Sequence, residues 1–266
     1  MIRLLCSLTF FFAFTVFACE ASPKISSTAG TDAHSKPSPH GHPTDEQNNL
    51  EFQLKPFRAK YEIKASGVTV GELSRTLSIS KTLAYDFSSE AKTSGLAALF
   101  KSSRTLESSL GHLLNGKIRP EHYAHARFKG SKEKSEDLIF DHKQNRLDIT
   151  RRGVISQRTL TAGGLDKLSY QLQLMIDLAA GNNELAYTVE TSTKVKAYAA
   201  ERGAIERIST PQGSYVTERI EQRNSGDNRT TFWCAEALQF LPIKVMITEG
   251  DDKTEIVLSE FEYSAQ

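Results

Sequence analysis

The sequence predicts an all-β, mainly antiparallel fold. The expected form is a large curled sheet, or an open barrel-like sheet, of about a dozen strands, with one main helix (about residues 165–180) packed on the concave face. Three observations predict it. From Phe57 onward apolar residues recur with a period of two, the pattern of half-buried strands. The runs are separated by turn chemistry at short intervals, with no alternation of strand and helix, which argues against a parallel α/β sheet. One stretch alone, Gly164–Gly181, carries its apolar residues at helical spacing.

Taken in order, the first strand is FRAKYEIKA, with Ala59, Tyr61, Ile63 and Ala65 on one parity against charged neighbours. VTVGELSRTLSI follows; Val68 and Val70 are out of phase with Leu73, Leu77 and Ile79, so a bulge or bend is expected at Gly71. YDFSSEAKT alternates again. Ser94–Ser102 is compact and apolar enough for a short helical turn. RTLESSL and PEHYAHARF are joined through Asn115-Gly116, a strong hairpin signal because both positions tolerate positive φ. EDLIFDHKQNRLDIT reads as a second hairpin, and Val154–Leu160 as the strand after it.

In the helical stretch Leu165, Leu168, Leu172, Met175, Ile176 and Ala179 share a face that Leu174 and Leu178 widen. Asp166, Tyr170, Gln173 and Asp177 form a narrow polar stripe; Asp166 is the expected N-cap and Gly181 the C′ residue. A helix apolar over most of its girth has to be enclosed. Strands then resume to the end of the domain, with connections expected at Gly203, Pro211–Gly213, Asn224–Asn228 and Gly250–Asp252.

The bulk numbers restrict function more than they assign it. The chain of 266 residues has a formal net charge of +1, which falls to zero when the segment before Cys19 is removed. No basic field exists to recruit nucleic acid. Two of the three cysteines, Cys6 and Cys19, lie at the amino terminus, so the body has Cys234 alone and no disulfide framework. No phosphate loop, nucleophile elbow, zinc-helix motif or dinucleotide fingerprint occurs, and no cofactor or metal is implied. Cys234 beside Trp233 reads as a small buried hydrophobe in a strand, because a catalytic thiol would need a base and an orienting group. His122 and His125, three apart in a strand, face opposite ways, which is poor metal geometry.

The amino terminus reads as an export signal, residues 1–18: Arg3, then an apolar run from Leu4 to Ala18, shorter than the roughly 20 residues of a membrane-spanning helix. Val16–Cys19 resembles a bacterial lipobox, which would make Cys19 the lipid-attachment residue; ordinary cleavage after Ala21 is the alternative. Glu20 stands where an aspartate marks inner-membrane retention in enteric bacteria, so the resemblance implies the outer membrane. Residues 19–55 are rich in Ser, Pro, Gly, Thr and His and cannot bury enough surface to offset their ordering entropy, so they read as a disordered linker. His34, His40 and His42 fall within it and read as linker composition. Residues 56–266 are then a single curled β-domain.

Several stretches of that domain resemble the bacterial family known as domain of unknown function 3108. They are FRAKYEIKASGVTVGELSRTL, TSGLAALFKSSRTLESSL, LDKLSYQLQLMIDLAAG and TTFWCAEALQFLPIKVMI, in that order over about Pro56–Tyr263. The resemblance implies an exported, mostly-β envelope protein and brings no agreed activity. The expected function is therefore a non-catalytic periplasmic lipoprotein, held to the membrane by its acyl anchor only, whose curled domain binds an apolar ligand or an envelope component. Tyr170, Gln173, Asp177 and Trp233 are the candidate ligand-facing residues. The alternatives are an envelope scaffold without a small-molecule ligand and, more remotely, a cell-wall or lipid hydrolase.

Overall fold

The computed structural model describes residues 54–95, 98, 102–223 and 228–264. The expected signal segment, Cys19, the linker with its three histidines, most of the 94–102 stretch and most of the 224–228 turn lie outside them.

Period-two patterning and tight turns give a meander. The strands are β1 (Phe57–Ala65), β2 (Val68–Ile79), β3 (Ala84–Thr93), β4 (Ser103–Leu114), β5 (Lys117–Lys129), β6 (Lys132–Asp141), β7 (Arg146–Arg151) and β8 (Val154–Thr159), followed by β9 (Leu185–Glu190), β10 (Val195–Thr210), β11 (Gly213–Arg223), β12 (Arg229–Ala235), β13 (Leu241–Glu249) and β14 (Asp252–Tyr263). One helix, α1 (Ser169–Ala179), links β8 to β9. All fourteen strands form one antiparallel sheet in the order β8-β7-β6-β5-β4-β3-β2-β1-β14-β13-β12-β11-β10-β9. Two meanders thus run outward from the pairing of the first strand with the last.

The turn chemistry does what was expected of it. Asn115 and Gly116, at φ 50° and 70°, close the β4–β5 hairpin. The parity change at Gly71 is a bulge: Ile63 faces Gly71 while Lys64 faces Thr69, leaving Val70 extra. One expectation is corrected. Gly203 does not connect two strands but lies inside the continuous β10, where Arg202 faces Ile220 and Ile205 faces Glu218. The glycine lets β10 approach β11 closely, since a Cβ there would come within 3.0 Å of the Arg219 carbonyl oxygen.

The two ends of the strand order meet. Arg158 of β8 donates from Nη2 to Glu190 Oε2 and to the Thr191 carbonyl oxygen, both at 2.6 Å, and Thr161 N donates to Glu190 Oε1 at 3.0 Å. Leu165 N donates to Thr188 O and Glu190 N to Leu165 O, forming a short parallel bridge between the link and β9. Accumulated twist curls the sheet until its edges touch, and side chains with one bridge stitch them in place of a full ladder. The result is an open barrel.

The concave side has a layered register. Leu77, Phe87, Ser109, Tyr123, Leu138 and Ile149 form one cross-strand row, each at most 4% exposed. The helix lies inside, with every residue from Ser169 to Leu178 buried. Leu172, Leu174, Met175 and Leu178 each contribute about 1.5–3 kcal/mol of burial as an upper estimate. The helix has weak intrinsic reason to form at this length, so enclosure by the sheet is its main support.

Candidate functional site

The start of the helix is fixed by Asp166. Its Oδ1 accepts from Leu168 N and Ser169 N at 2.8 Å, and Ser169 Oγ accepts from Asp166 N at 2.8 Å. This is a reciprocal capping box set one turn ahead of the first fully helical residue; Leu168 itself makes no side-chain cap. Ser109 Oγ donates to Asp166 Oδ2 at 2.6 Å and lies 3.0 Å from Tyr85 Oη, so the cap is bonded to the sheet. Burial pushes the Asp166 carboxyl up to about 6, against the hydrogen bonds it accepts. At the other end Gly181 has φ 72° and Asn182 N donates to Asp177 O at 2.9 Å, a Schellman closure.

The polar stripe is occupied by the protein itself. Gln173 Oε1 accepts from Ile118 N at 2.8 Å, and its Nε2 donates to Gly116 O at 3.3 Å and Asp177 Oδ1 at 3.1 Å. Asp177 Oδ1 also accepts from Lys117 Nζ and Asn182 Nδ2. These two residues hold the helix to the Asn115-Gly116 hairpin. Tyr170 has a different setting. Its ring packs against Tyr198 and Tyr187 with centroids 5.1 and 6.2 Å away, and its phenol, pushed far up by burial, lies close enough to Arg75 and Glu107 to feel both charges.

Trp233 is not on this side of the sheet. Phe232 and Cys234 face the core and Trp233, between them, faces out. Its Nε1 donates to Glu206 Oε2 at 2.9 Å, and Lys244 Nζ lies 5.2 Å from its ring centroid. Trp233 and Tyr170 therefore do not share a surface. Cys234 is fully buried, and burial together with the charge of Glu218 pushes its thiol far above the ordinary range. His122 and His125 do face opposite ways: His122 Nε2 is 2.7 Å from Asp137 Oδ2 outside, while His125 points inward.

A second inward row lies two residues along from the apolar one. Arg75, Ser89, Glu107, His125, Glu136 and Arg151 succeed one another across β2 to β7. Apart from buried Ser89, they are half-buried where the apolar row is buried, so water reaches this end of the concave face. Lys167 reaches in from the link before the helix, 3.8 Å from Glu136 and over the ring of Tyr123. Lys196 enters from β10, its ammonium lowered to about 8 by burial and by the neighbouring Lys167. Tyr123 Oη donates to Glu107 Oε1 at 2.5 Å. Burial lowers His125, whose buried Nδ1 has no partner; Arg75 Nε and Tyr61 Oη are likewise buried without one. Half-buried, charged and incompletely paired, this row has chemistry to offer a ligand.

The architecture has a solved counterpart at the level of fold. A solved structure described as a β-barrel-like protein of domain of unknown function DUF1849 from Brucella abortus is similar with a TM-score of 0.57 at 13% identity, covering 80% of this chain and 99% of that one. A putative lipoprotein from Parabacteroides distasonis (TM-score 0.32) and a putative exported protein with YmcC-like fold from Bacteroides fragilis (0.31), each 8% identical, cover 79% of this chain and 96% of theirs. No curated protein matches in sequence. The family described as protein of unknown function (DUF3108) matches residues 60–257, and the chain belongs to it.

Proposed function

We propose that this chain is an exported, non-catalytic binding protein of the bacterial cell envelope, and that its ligand enters the charged, tyrosine-walled end of the concave face. The observation that carries this reading is the contrast between the two inward rows: one is sealed, the other is half-buried and polar. A purely apolar groove formed by Tyr170 with Trp233 is not supported, because the two lie on opposite faces and the helix fills the space between core strands. The amino-terminal apolar run and the lipobox-like Val16–Cys19 support export with an acyl anchor at Cys19. Metabolic labelling with an alkyne fatty acid tests the anchor: label on the wild type and none on Cys19→Ala is expected.

Native mass spectrometry of the full chain, purified from the envelope in mild detergent, tests the binding reading. A reproducible added mass that disappears after organic extraction is expected; a clean apo mass counts against it. A second reading, an envelope scaffold, draws on β8. This six-residue edge strand has β7 as its ladder neighbour, and Val154 and Ile155 are 68% and 76% exposed. Such an edge is a template for strand addition. An apo mass combined with in-cell crosslinks from position 155 would favour that reading.

A further inference from the structure

Resting on the binding reading above, we propose that the open end of the concave face holds an anionic group, a carboxylate or a phosphate, with Arg75 as its anchor. The charges there are unbalanced. Arg75, Arg151, Lys167 and Lys196 face inward against two carboxylates, Glu107 and Glu136. Both carboxylates are engaged: Glu107 accepts from Tyr123, and Glu136 lies 3.7 Å from Arg151 Nε and 3.8 Å from Lys167 Nζ.

Arg75 is the exception. Among the described residues it makes no salt bridge and no side-chain hydrogen bond. Its guanidinium stands over the ring of Tyr61 at 5.8 Å, and its Nε is buried and unpartnered. A buried donor left unsatisfied is costly, and a planar fork of N–H groups matches two oxygens of a carboxylate or phosphate. Ser89, its register partner on β3, supplies a hydroxyl beside it. On the far wall Tyr170 feels the charges of Arg75 and Glu107, and Tyr198 that of Glu107. The Tyr170 phenol, near Arg75, supplies a further donor to an anion, and the packed tyrosine rings a flat apolar surface to whatever carries it. Tyr170 thus returns as a ligand-facing residue through its hydroxyl, while Gln173 and Asp177 stay structural.

Calorimetric titration of the full chain with hexanoate, hexyl phosphate and hexanol tests this. At least one of the two anions should bind about tenfold or more tighter than hexanol, the effect of a charge-assisted pair. Which anion binds tells a carboxylate source from a phosphate source. Arg75→Gln should lose that advantage, Arg75→Lys should keep part of it, and Tyr170→Phe should weaken it by a few-fold. Equal binding of hexanol and both anions to the wild type overturns the proposal without recourse to any variant. So does a folded Arg75→Gln that binds the anions as the wild type does. If the native adduct persists in Arg75→Gln, the anchor fails while the binding reading stands; if the wild type carries no adduct and binds none of the three probes, both fail.

Discussion

Replacing Asp166 separates two roles of one buried carboxylate. In Asp166→Ala the Leu168 and Ser169 amides and the Ser109 hydroxyl all lose their acceptor in a site with no exposed surface. Unsatisfied buried donors cost about 1–3 kcal/mol each and a lost N-cap about 1 kcal/mol, so with partial relaxation the variant should lose about 3 kcal/mol. Asp166→Asn keeps an acceptor for the two amides. Its Nδ2 can donate to Ser109 Oγ, and Ser109 can turn its own proton to Tyr85, 3.0 Å away. What Asn removes is titration. The folded carboxyl sits at about 6 against an ordinary 3.8, so between those values the folded protein binds more protons than the unfolded chain. Stability from this group is therefore full below pH 3.8 and falls as pH rises through about 6, by roughly 3 kcal/mol in all. Urea unfolding followed by far-ultraviolet circular dichroism at pH 4, 5, 6 and 7 reads it directly. The stability of the wild type minus that of Asp166→Asn should fall by about 2.4 kcal/mol from pH 4 to pH 7, since about 0.5 kcal/mol is already lost at pH 4. A difference that is flat, or that rises with pH, would mean that Asp166 is not held protonated by the fold.

Three further outcomes follow from the same geometry. Glu190→Ala takes the carboxylate from Arg158, which keeps only the Thr191 carbonyl, and leaves Thr161 N without its acceptor where the sheet edges meet; urea unfolding should show a loss near 3 kcal/mol, the low end for a broken buried pair because Arg158 is partly exposed, with Glu190→Gln losing about half as much. Gly111→Ala would set a Cβ 2.2 Å from the Arg119 carbonyl oxygen and 2.8 Å from Pro120 Cα at the β4–β5 bulge, so a loss of more than about 2 kcal/mol is expected in thermal unfolding. Cys234, its thiol pushed far up by burial, should react with iodoacetamide at pH 8 about 100-fold or more slowly in native protein than in urea.

Much of the fold was legible because its signals are local. Tyr61, Phe87 and Leu147 repeat the core parity strand after strand, and Asn115-Gly116 or Asp166 with Gly181 carry their backbone geometry in their residue types. Gly203 misled because a glycine inside a bulge and one in a turn leave the same trace; only the pairing with β11 tells them apart. Trp233 misled because a lone aromatic in an alternating run gives no sign of which parity faces in, and its neighbour Cys234 took the core. The charged row was present in the sequence as a polar residue on the core parity of successive strands: Arg75 between Leu73 and Leu77, His125 after Tyr123, Glu136 before Leu138, Arg151 after Ile149. Each alone looks like a strand position that reaches solvent. Only the register, which lines them up across β2 to β7, makes them one surface.

The measurement that bears most directly on that surface is lysine acetylation of the chain as purified and again after organic extraction, read by peptide mass spectrometry. Extraction should raise the modification of Lys167 and Lys196 and leave Lys60, exposed beside Glu260 on the outer face, unchanged. Unchanged modification of Lys167 and Lys196, in a chain whose added mass extraction has removed, would place the ligand elsewhere and contradict the proposed site.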